Sequence, residues 1–429
     1  MPTPVILGAV RTPMVRAGDA LHSVPAKELA RQAVRELLEI VDLPAGDVNE
    51  IVLGNAAGPA DAPNIARVVG LLAGLPESVP GVTVHRNCAS GLEAILVAAE
   101  KVAAGRAEFV IAGGVESMSR IPMLFPPEAN PWFARWARAK SLGQKLSALG
   151  ALKPRQMAPT SAILVGLTDP VCGLSMGSSA ENLAREFDIS RDAQDAYALE
   201  SHRRAIAARA EGRFDDEIAP VWVGPEFRCV VERDIGPRED ATLERLAKLR
   251  PVFDRRDGTI TAGNSCQITD GAAAVLVAAE ETVLSRGMSA VARIRSWSTV
   301  GLSPARMGLG PAFAIPDALD RAGVTLADVG RIEINEAFAA QVLACEIALA
   351  SDRFAADELG RSRAVGELGR ERLNVRGGAI ALGHPIGATG ARLAVTLLAE
   401  LARSGQELGC ASLCVGGGQG SALVVERLQ

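Results

Sequence analysis

Hydrophobic and polar positions alternate along the first third of the chain with two different periods. The runs PVILGAV and EIVLGNAAG are apolar almost throughout, a pattern typical of buried strands. Between them, AKELARQAVRELLEIV repeats its apolar residues at helical spacing. Strands that alternate with helices in this way predict a parallel α/β sheet.

The stretch TVHRNCASGLEAILVAAEKVAAG places Cys88 between a polar turn and an apolar helix. The helix is predicted by apolar residues at helical spacing, namely Leu92, Ile95, Leu96, Ala99 and Val102. Gly105 is a stop signal for this helix, and EFVIAGGVES after it has the pattern of a buried strand that ends in a glycine turn.

The last part of the chain repeats this unit. GGAIALGHPIGATGARLAVTLLAELARSG predicts a glycine-rich turn and a helix, and CASLCVGGGQGSALVVERL predicts a strand, a glycine turn and a second strand. The two units indicate two halves of one duplicated design. If the halves pack together, the turns at Cys88, Thr389 and Cys414 converge on one crevice, the usual location of ligands in such sheets.

Residues 121–250 lack this alternation and are richer in Pro, Trp and charge, so we predict an inserted lobe. Residues 131–155 within it carry cations and no acid: Arg135, Arg138, Lys140, Lys145, Lys153 and Arg155. Trp, Phe and Leu side chains lie among them, which predicts a cationic amphipathic helix. Three interpretations remain open: a solvated helix over the core, a docking face for a membrane surface or partner, and a phosphate-steering surface.

Composition, net charge and cysteine content limit the classes of protein to which this chain can belong. A chain of 429 residues with 48% hydrophobic content can bury a large core in two or three units, and a net charge of -5 argues against a nucleic-acid partner. Apolar runs are interrupted well before the ~20 residues that span a membrane, and no targeting segment is visible, so we expect a cytoplasmic protein. Seven scattered cysteines fit reduced thiols.

Cys88 is the best candidate nucleophile because a helix start favours a thiolate over the ordinary thiol, whose pKa is ~8.5. Only four histidines are available as bases, and we treat His22 and His202 as structural. His384, held between Gly383 and Pro385, is our preferred base. His85, three residues before Cys88, stays open as its rival.

A second group of candidates lies near the end of the chain. Cys414 precedes three glycines, where a backbone oxyanion site around Gly416 can form and one thiol can attack while the other moves a proton. A zinc site at Cys410 and Cys414 has the wrong spacing and no neighbouring histidine, so we expect no metal. Asn335 ends an apolar strand, either as a helix N-cap or as an amide that positions water.

The chain resembles the thiolase family of acetyl-CoA acyltransferases from end to end. The motifs NCASGLEAI, TAGNSCQITDGAAAVLV, NEAFAAQ, GGAIALGHPIGATGAR and CVGGGQGSA occur in the family's order. The resemblance implies CoA-dependent cleavage of 3-ketoacyl-CoA to acetyl-CoA and a shortened acyl-CoA, or the reverse Claisen condensation, with ping-pong kinetics. CoA would be a co-substrate, and no tightly bound cofactor is implied.

The same resemblance implies a role for each site residue. Cys88 would accept the acyl group, His384 would activate it, and Cys414 would be the acid and base at the acetyl α-carbon. Asn335 would orient an oxyanion-hole water, and the backbone N–H groups of Cys88 and Gly416 would form a second oxyanion hole. Dividing the reaction between two thiols meets the two needs of Claisen chemistry, an acyl-enzyme and a proton shuttle.

The resemblance also implies where CoA and the acyl chain bind. Met176 and Met307 lie in segments that border the acyl and pantetheine path in the family, although ordinary core methionine is an equal alternative. The family commonly has serine where this chain has Cys266, so Ser265 is the alternative hydrogen-bonding residue for pantetheine.

The fold implied is α/β, a thiolase-like duplicated αβαβα layered core with an inserted loop domain. We expect an N-terminal half over 1–120 and 251–278, the inserted domain over 121–250 and a C-terminal half over 279–429. The insertion resembles the branch that supplies β-subunits of fatty-acid-oxidation complexes, although that branch often has histidine at Asn335. Expected partners are acyl-CoA and CoA, a homodimer or dimer of dimers, and a hydratase/dehydrogenase subunit.

Two other functions remain as alternatives. A decarboxylating ketosynthase shares the core fold but uses one cysteine and two histidines, whereas this chain has Asn335 and Cys414. A non-catalytic CoA-binding assembly subunit would have no need for Cys88, His384 and Cys414 together.

Overall fold

The computed structural model describes residues 2–224 and 229–428. Its strands are β1 (Pro4–Arg11), β2 (Val15–Arg16), β3 (Glu50–Gly54), β4 (Gly81–Val84), β5 (Phe109–Ser117), β6 (Met123–Leu124), β7 (Thr160–Ser161), β8 (Val221–Val223), β9 (Cys229–Val231), β10 (Thr269–Ala279), β11 (Ala292–Gly301), β12 (Arg331–Ile334), β13 (Leu408–Val415) and β14 (Gln419–Arg427).

Helices cover both faces of the sheet and build the lobe. They are α1 (Ala26–Val41), α2 (Ile65–Ala73), α3 (Ser90–Ala103), α4 (Asn130–Arg138), α5 (Leu142–Gly150), α6 (Ala162–Gly166), α7 (Met176–Glu186), α8 (Arg191–Ala210), α9 (Leu243–Ala247), α10 (Glu280–Ser285), α11 (Gly310–Ala322), α12 (Ala339–Leu349), α13 (Asp352–Leu359), α14 (Ala379–Leu382) and α15 (Ile386–Ser404).

The strand order, β12-β13-β14-β11-β1-β10-β5-β3-β4, contains the same pattern twice. In the N-terminal half, β3 is parallel to β5, and β5, β10 and β1 then pair antiparallel. In the C-terminal half, β12 is parallel to β13, and β13, β14 and β11 pair antiparallel. The predicted duplication is therefore confirmed.

The expectation of a parallel sheet is confirmed for β3 with β4 and β5, but it is wrong for the sheet as a whole. Strand β10 follows the long inserted segment and returns between β1 and β5, antiparallel to both. A helical crossover fixes strands in a parallel arrangement, but a long excursion through another lobe does not. The sheet is consequently mixed.

Helices α3 and α15 form the central layer between the two halves. Among the described strands, the two sheet halves are joined where β1 pairs with β11, at Val5↔Arg293 and Ile6↔Ala292. Alternate strand residues such as Val275 pack inward against α3 and α15, and their neighbours such as Ala274 pack outward under α1. With α1 and α2 outside one half and α11 and α12 outside the other, five αβαβα layers result.

Glycines allow the two central helices to approach closely. A Cβ on Gly91 would lie 2.8 Å from the carbonyl oxygen of Gly387, and one on Gly114 would lie 2.1 Å from the same oxygen. Gly91 is in the first turn of α3 and Gly387 is in the first turn of α15. The two helix starts therefore meet in backbone contact, with Cys88 and His384 each three residues upstream.

The cationic stretch 131–155 forms two helices rather than the single helix predicted. The break falls between α4 and α5, where the Ser141 side chain accepts from the backbone N–H of Gln144 and so caps α5. Further along, α7 and α8 contribute Leu183 and Tyr197 to the core of the C-terminal half. The division at 1–120 with 251–278, 121–250 and 279–429 remains our proposal.

Candidate active site

One cavity of about 360 Å³ collects side chains that are hundreds of positions apart in the chain. Every predicted site residue except Asn335 lines it: Cys88, His384, Cys414, Gly416, Ser265, Cys266, Met176 and Met307. The remaining wall is largely apolar and comes from Met118, Leu164, Leu167, Phe253, Ile268, Ile386 and Phe338, among others. The cavity therefore offers a few polar groups in an apolar enclosure, as ligand sites do.

Cys88 sits in a tight turn between β4 and α3. Asn87 precedes it with φ +43°, a left-handed conformation that asparagine adopts more readily than most residues. The Ser90 hydroxyl donates to the Asn87 carbonyl at 2.7 Å and accepts from the Arg86 backbone N–H at 2.9 Å. These bonds fix the turn and leave the half-buried Cys88 facing the cavity.

The resting form of Cys88 differs from the expected thiolate. Burial raises the pKa of the thiol to about 11, although the backbone N–H groups of Gly416 and Cys88 favour the thiolate. The negative charge of Glu116 adds to the increase. Loss of hydration thus outweighs the dipoles at the start of α3, and the nucleophile rests as a neutral thiol that needs a base.

His384 is arranged as a neutral base. Its Nδ1 lies 2.6 Å from the Thr389 hydroxyl, and that hydroxyl donates to the Pro385 carbonyl at 3.2 Å. Because the hydroxyl proton is used there, Nδ1 carries the hydrogen of the ring, and Nε2 keeps a lone pair. Within the described residues Nε2 has no hydrogen-bond partner, and burial together with the charge of Arg392 lowers the pKa of His384 to about 3.

The geometry favours His384 over its rival. His85 Nε2 lies 3.0 Å from the Ala56 carbonyl oxygen, and His85 does not line the cavity. His202 accepts from the Arg238 backbone N–H through Nδ1 at 3.2 Å, and His22 Nδ1 lies 2.8 Å from the Asp19 carbonyl oxygen. These three imidazoles are engaged with backbone groups away from the cavity.

Cys414 is the penultimate residue of β13, close to the glycine turn, and is only 2% exposed. Burial raises the pKa of its thiol well above the usual value, with smaller contributions from the neighbouring thiols Cys88, Cys345 and Cys266. Gly417 and Gly418 have φ of +90° and +78°, so the turn needs glycine at these positions. A Cβ on Gly416 would lie 3.3 Å from Met176 Sδ.

Asn335 lies just after β12, fully buried but outside the cavity wall. The N-cap interpretation is wrong, because α12 begins at Ala339 and Phe338 occupies the cap position. Both polar atoms of the Asn335 amide lack a protein partner in the part of the chain described. A buried unpaired amide is costly, so this one fits a site for ordered water.

The residues predicted to contact CoA differ in the groups that they can offer to a ligand. The Ser265 hydroxyl donates to the Thr261 carbonyl at 2.7 Å, which leaves only its acceptor function for a ligand. The Cys266 backbone N–H donates to the Ala337 carbonyl at 3.0 Å, and the thiol lines the cavity. Met307 is 3% exposed, and Met176 is the first residue of α7, at the cavity wall.

Among the described residues, no group of three or more His, Cys, Asp or Glu side chains is placed to hold a metal.

Comparison with known protein families identifies the family of this chain. The thiolase N-terminal domain matches residues 4–281, and the thiolase C-terminal domain matches residues 288–427. The chain belongs to the thiolase family. It is therefore an acyltransferase, as the resemblance of its motifs predicted.

Relatives of this thiolase match over nearly their whole length. The 3-ketoacyl-CoA thiolases of Pseudoalteromonas translucida and Yersinia pestis are each 40% identical over 423 residues, 98% of this chain and 96% of theirs. The crystal structure of the Bacillus anthracis acetyl-CoA acetyltransferase has a TM-score of 0.87 at 39% identity, covering 100% of this chain and 99% of that one. Human mitochondrial 3-ketoacyl-CoA thiolase in complex with CoA has a TM-score of 0.85 at 35% identity, covering 100% and 98%.

Proposed function

We propose that this thiolase catalyses the CoA-dependent cleavage of 3-ketoacyl-CoA into acetyl-CoA and a shortened acyl-CoA, or the reverse condensation, as a step of fatty-acid β-oxidation. The observation that carries the proposal is the meeting of Cys88, His384 and Cys414 in one cavity. Relatives named 3-ketoacyl-CoA thiolase that match almost end to end support the choice of substrate.

In the first half-reaction, His384 Nε2 takes the Cys88 proton as the sulfur attacks the 3-keto carbon. The bond between C2 and C3 then breaks, and Cys414 protonates the departing acetyl-CoA carbanion at its α-carbon. The Cys88 and Gly416 N–H groups, which already favour the Cys88 thiolate, are placed to stabilise negative charge beside this sulfur. The products of this half are acetyl-CoA and an acyl group on Cys88.

In the second half-reaction, the Cys414 thiolate left by the first takes the proton of the CoA thiol as the CoA sulfur attacks the acyl-Cys88 thioester. The shortened acyl-CoA leaves, and the proton held on His384 returns to the Cys88 sulfur. Asn335 would hold a water that shares the thioester oxygen, since its buried amide has no partner within the described part of the chain. CoA is a co-substrate in this scheme, and no tightly bound cofactor is needed. Ser265, Cys266, Met176 and Met307 would border the pantetheine and acyl path.

The alternatives fit the cavity less well. A decarboxylating ketosynthase needs a second histidine, but His384 is the one histidine that lines the cavity in the described residues. A non-catalytic CoA-binding assembly subunit would not need a neutral imidazole with a free Nε2 beside two thiols.

The direct test is loss of Mg-enolate absorbance when the enzyme and CoA are mixed with 3-ketoacyl-CoAs of increasing chain length. We expect CoA-dependent turnover by the wild type and none by Cys88→Ala. Cys229→Ala, at an exposed thiol that does not line the cavity, is the matched control and should retain the wild-type rate. Binding of CoA without any turnover would favour the assembly-subunit alternative.

The expected dimer finds support at the edge of the sheet. Within the described residues, strand β4 pairs with β3 on one side and with no strand on the other, and Val82 on it is 36% exposed. Unpaired edge groups invite a second strand, so we place the homodimer contact here, with a dimer of dimers and a hydratase/dehydrogenase subunit as further assembly states. Light scattering of Val82→Lys against the wild type tests the contact, and an unchanged dimer would exclude this edge.

The exposed surface of the cationic stretch 131–155 supports peripheral membrane contact. On α5, Leu142, Leu146 and Leu149 are 75%, 59% and 48% exposed, and no acid lies in this stretch. No helix of the described residues is both long and apolar enough to cross a membrane. An exposed apolar row among cations suits an anionic bilayer surface of the cytoplasm. Leu142→Ser with Leu146→Ser should abolish co-sedimentation with anionic vesicles, and sedimentation that persists would exclude this face.

A further inference from the structure

Glu116, near the end of β5, is a buried carboxylate that the proposed reaction does not use. Only 1% of its surface is exposed, and it accepts four hydrogen bonds. Oε1 accepts from the Asn55 side chain at 2.9 Å and the Ala57 backbone N–H at 3.2 Å. Oε2 accepts from the backbone N–H groups of Ala56 at 2.9 Å and Gly387 at 3.0 Å.

These donors come from two different parts of the fold. Asn55, Ala56 and Ala57 follow β3 in the N-terminal half, and Gly387 belongs to the first turn of α15. A carboxylate near the first turn of a helix interacts favourably with unpaired N–H groups and with the helix dipole. Glu116 thus ties the start of the helix that follows His384 to the edge of the half that carries Cys88.

Close packing around Gly387 restricts the movement of the helix start that Glu116 holds. A Cβ on Gly387 would lie 2.8 Å from Glu116 Oε2, 2.8 Å from the Val115 carbonyl oxygen and 2.9 Å from Asn55 Cα. Since Gly387 also contacts Gly91 of α3, movement of this turn changes the position of His384 relative to Cys88.

We propose that Glu116 is a positioning residue for acyl transfer, whose carboxylate holds the start of α15 and thereby sets the distance between Cys88 Sγ and His384 Nε2. The inference rests on the proposed function, because it assumes that Cys88 is acylated. In the step concerned, Cys88 S–H and an acyl-CoA give acyl-S-Cys88 and CoA, with His384 as the proton carrier.

The test compares two reactions of Cys88 in Glu116→Gln. Acylation by acetyl-CoA, followed by intact mass, needs His384 in place and should slow by about tenfold, since hydrogen bonds to a charged acceptor are lost. Alkylation by iodoacetamide needs only the thiolate. It should become faster at pH 8, because the negative charge that raises the pKa of Cys88 is removed. A merely structural role would slow both reactions together.

Two further variants separate charge, position and general stability. Glu116→Asp keeps the charge but falls short of the donors, so acylation should slow while alkylation stays at the wild-type rate. Glu181→Gln is the matched control, because Glu181 is 2% exposed and accepts backbone N–H bonds from Thr259 and Ile260. It should lower the melting temperature without changing the ratio of the two rates.

The outcomes distinguish this inference from the proposed function. If wild-type Cys88 takes up no acyl group, the proposed function fails. If the wild type is acylated and both Glu116 variants are acylated at the same rate, the assignment of Glu116 is overturned. Should Glu116→Gln not fold, Glu116→Asp carries the test, and wild-type acylation of that variant overturns the assignment.

Discussion

The Asn87 side chain donates a 2.7 Å hydrogen bond to the carbonyl oxygen of Gly416. This bond joins the turn that carries Cys88 to the glycine turn that follows Cys414. The Gly416 backbone N–H in turn acts on the Cys88 thiol. One asparagine therefore aligns the nucleophile with an N–H group proposed to stabilise the oxyanion.

Asn87→Gly should lower kcat about tenfold, because one hydrogen bond at the oxyanion site is lost while glycine keeps the left-handed backbone. The measurement is the steady-state rate of 3-ketoacyl-CoA cleavage. Asp42→Gly is the matched control, since Asp42 has φ +52° at the exposed end of α1. An Asn87→Gly enzyme with the wild-type kcat would exclude this alignment.

The reactivity of Cys88 should depend on pH in a defined way. A pKa raised to about 11 favours the neutral thiol, so the thiolate fraction grows with pH throughout the usual range. Alkylation of Cys88 by iodoacetamide, located by peptide mass spectrometry, should rise about tenfold per pH unit between about pH 7 and pH 10. A plateau below pH 9 would instead indicate a resting thiolate.

Thr389→Val should impair His384 without removing it. The hydroxyl accepts the Nδ1 hydrogen at 2.6 Å, and its loss frees the ring to rotate or to move its proton to Nε2. We expect kcat to fall about tenfold with alkylation of Cys88 unchanged. Thr396→Val, on the same helix with its hydroxyl bonded to Glu217, is the control. Equal effects of the two variants on kcat would contradict the role of Thr389.

Gly387→Ala should destabilise the protein on the order of 2 kcal/mol, because the new methyl group meets backbone atoms at 2.8 Å that cannot move aside cheaply. The measurement is thermal unfolding. Gly143→Ala, in α5 with nothing within 4 Å of the added Cβ, should leave the melting temperature unchanged or raise it. A fully stable Gly387→Ala protein would show that the start of α15 can move away from β5 and from the segment after β3.

The sequence was most informative where chemistry and backbone constraints coincide. Cys88 and Cys414 each lie beside a turn marked by Gly or Asn, and apolar patterns predicted the helix after the first turn and the strand after the second. The prediction that these turns converge with His384 rested on the duplication, which the two matching halves of the sheet confirm. Glycines in the sequence indicated close contacts between backbone segments, because few other residues allow such an approach.

Other features depend on tertiary context that a local pattern does not contain. The pKa of Cys88 is set by burial, which a helix-start argument leaves out. Asparagine is a residue type favoured at N-caps, yet helix α12 begins four residues after Asn335. Leu164 lines the cavity from the short helix α6 and Phe253 from an irregular segment, and neither belongs to a run with periodic apolar spacing. Glu116 had one weak signal, an acid at the end of an otherwise apolar strand.

The most direct test of the account is the intact mass of wild type, Cys88→Ala and Cys414→Ala after exposure to acetyl-CoA, alongside their rates of 3-ketoacyl-CoA cleavage. We predict an acetyl group on wild type and, more slowly, on Cys414→Ala, none on Cys88→Ala, and cleavage by the wild type alone. Cleavage at the wild-type rate by Cys414→Ala, or an acetyl group on Cys88→Ala, would contradict the division of the reaction between these two thiols.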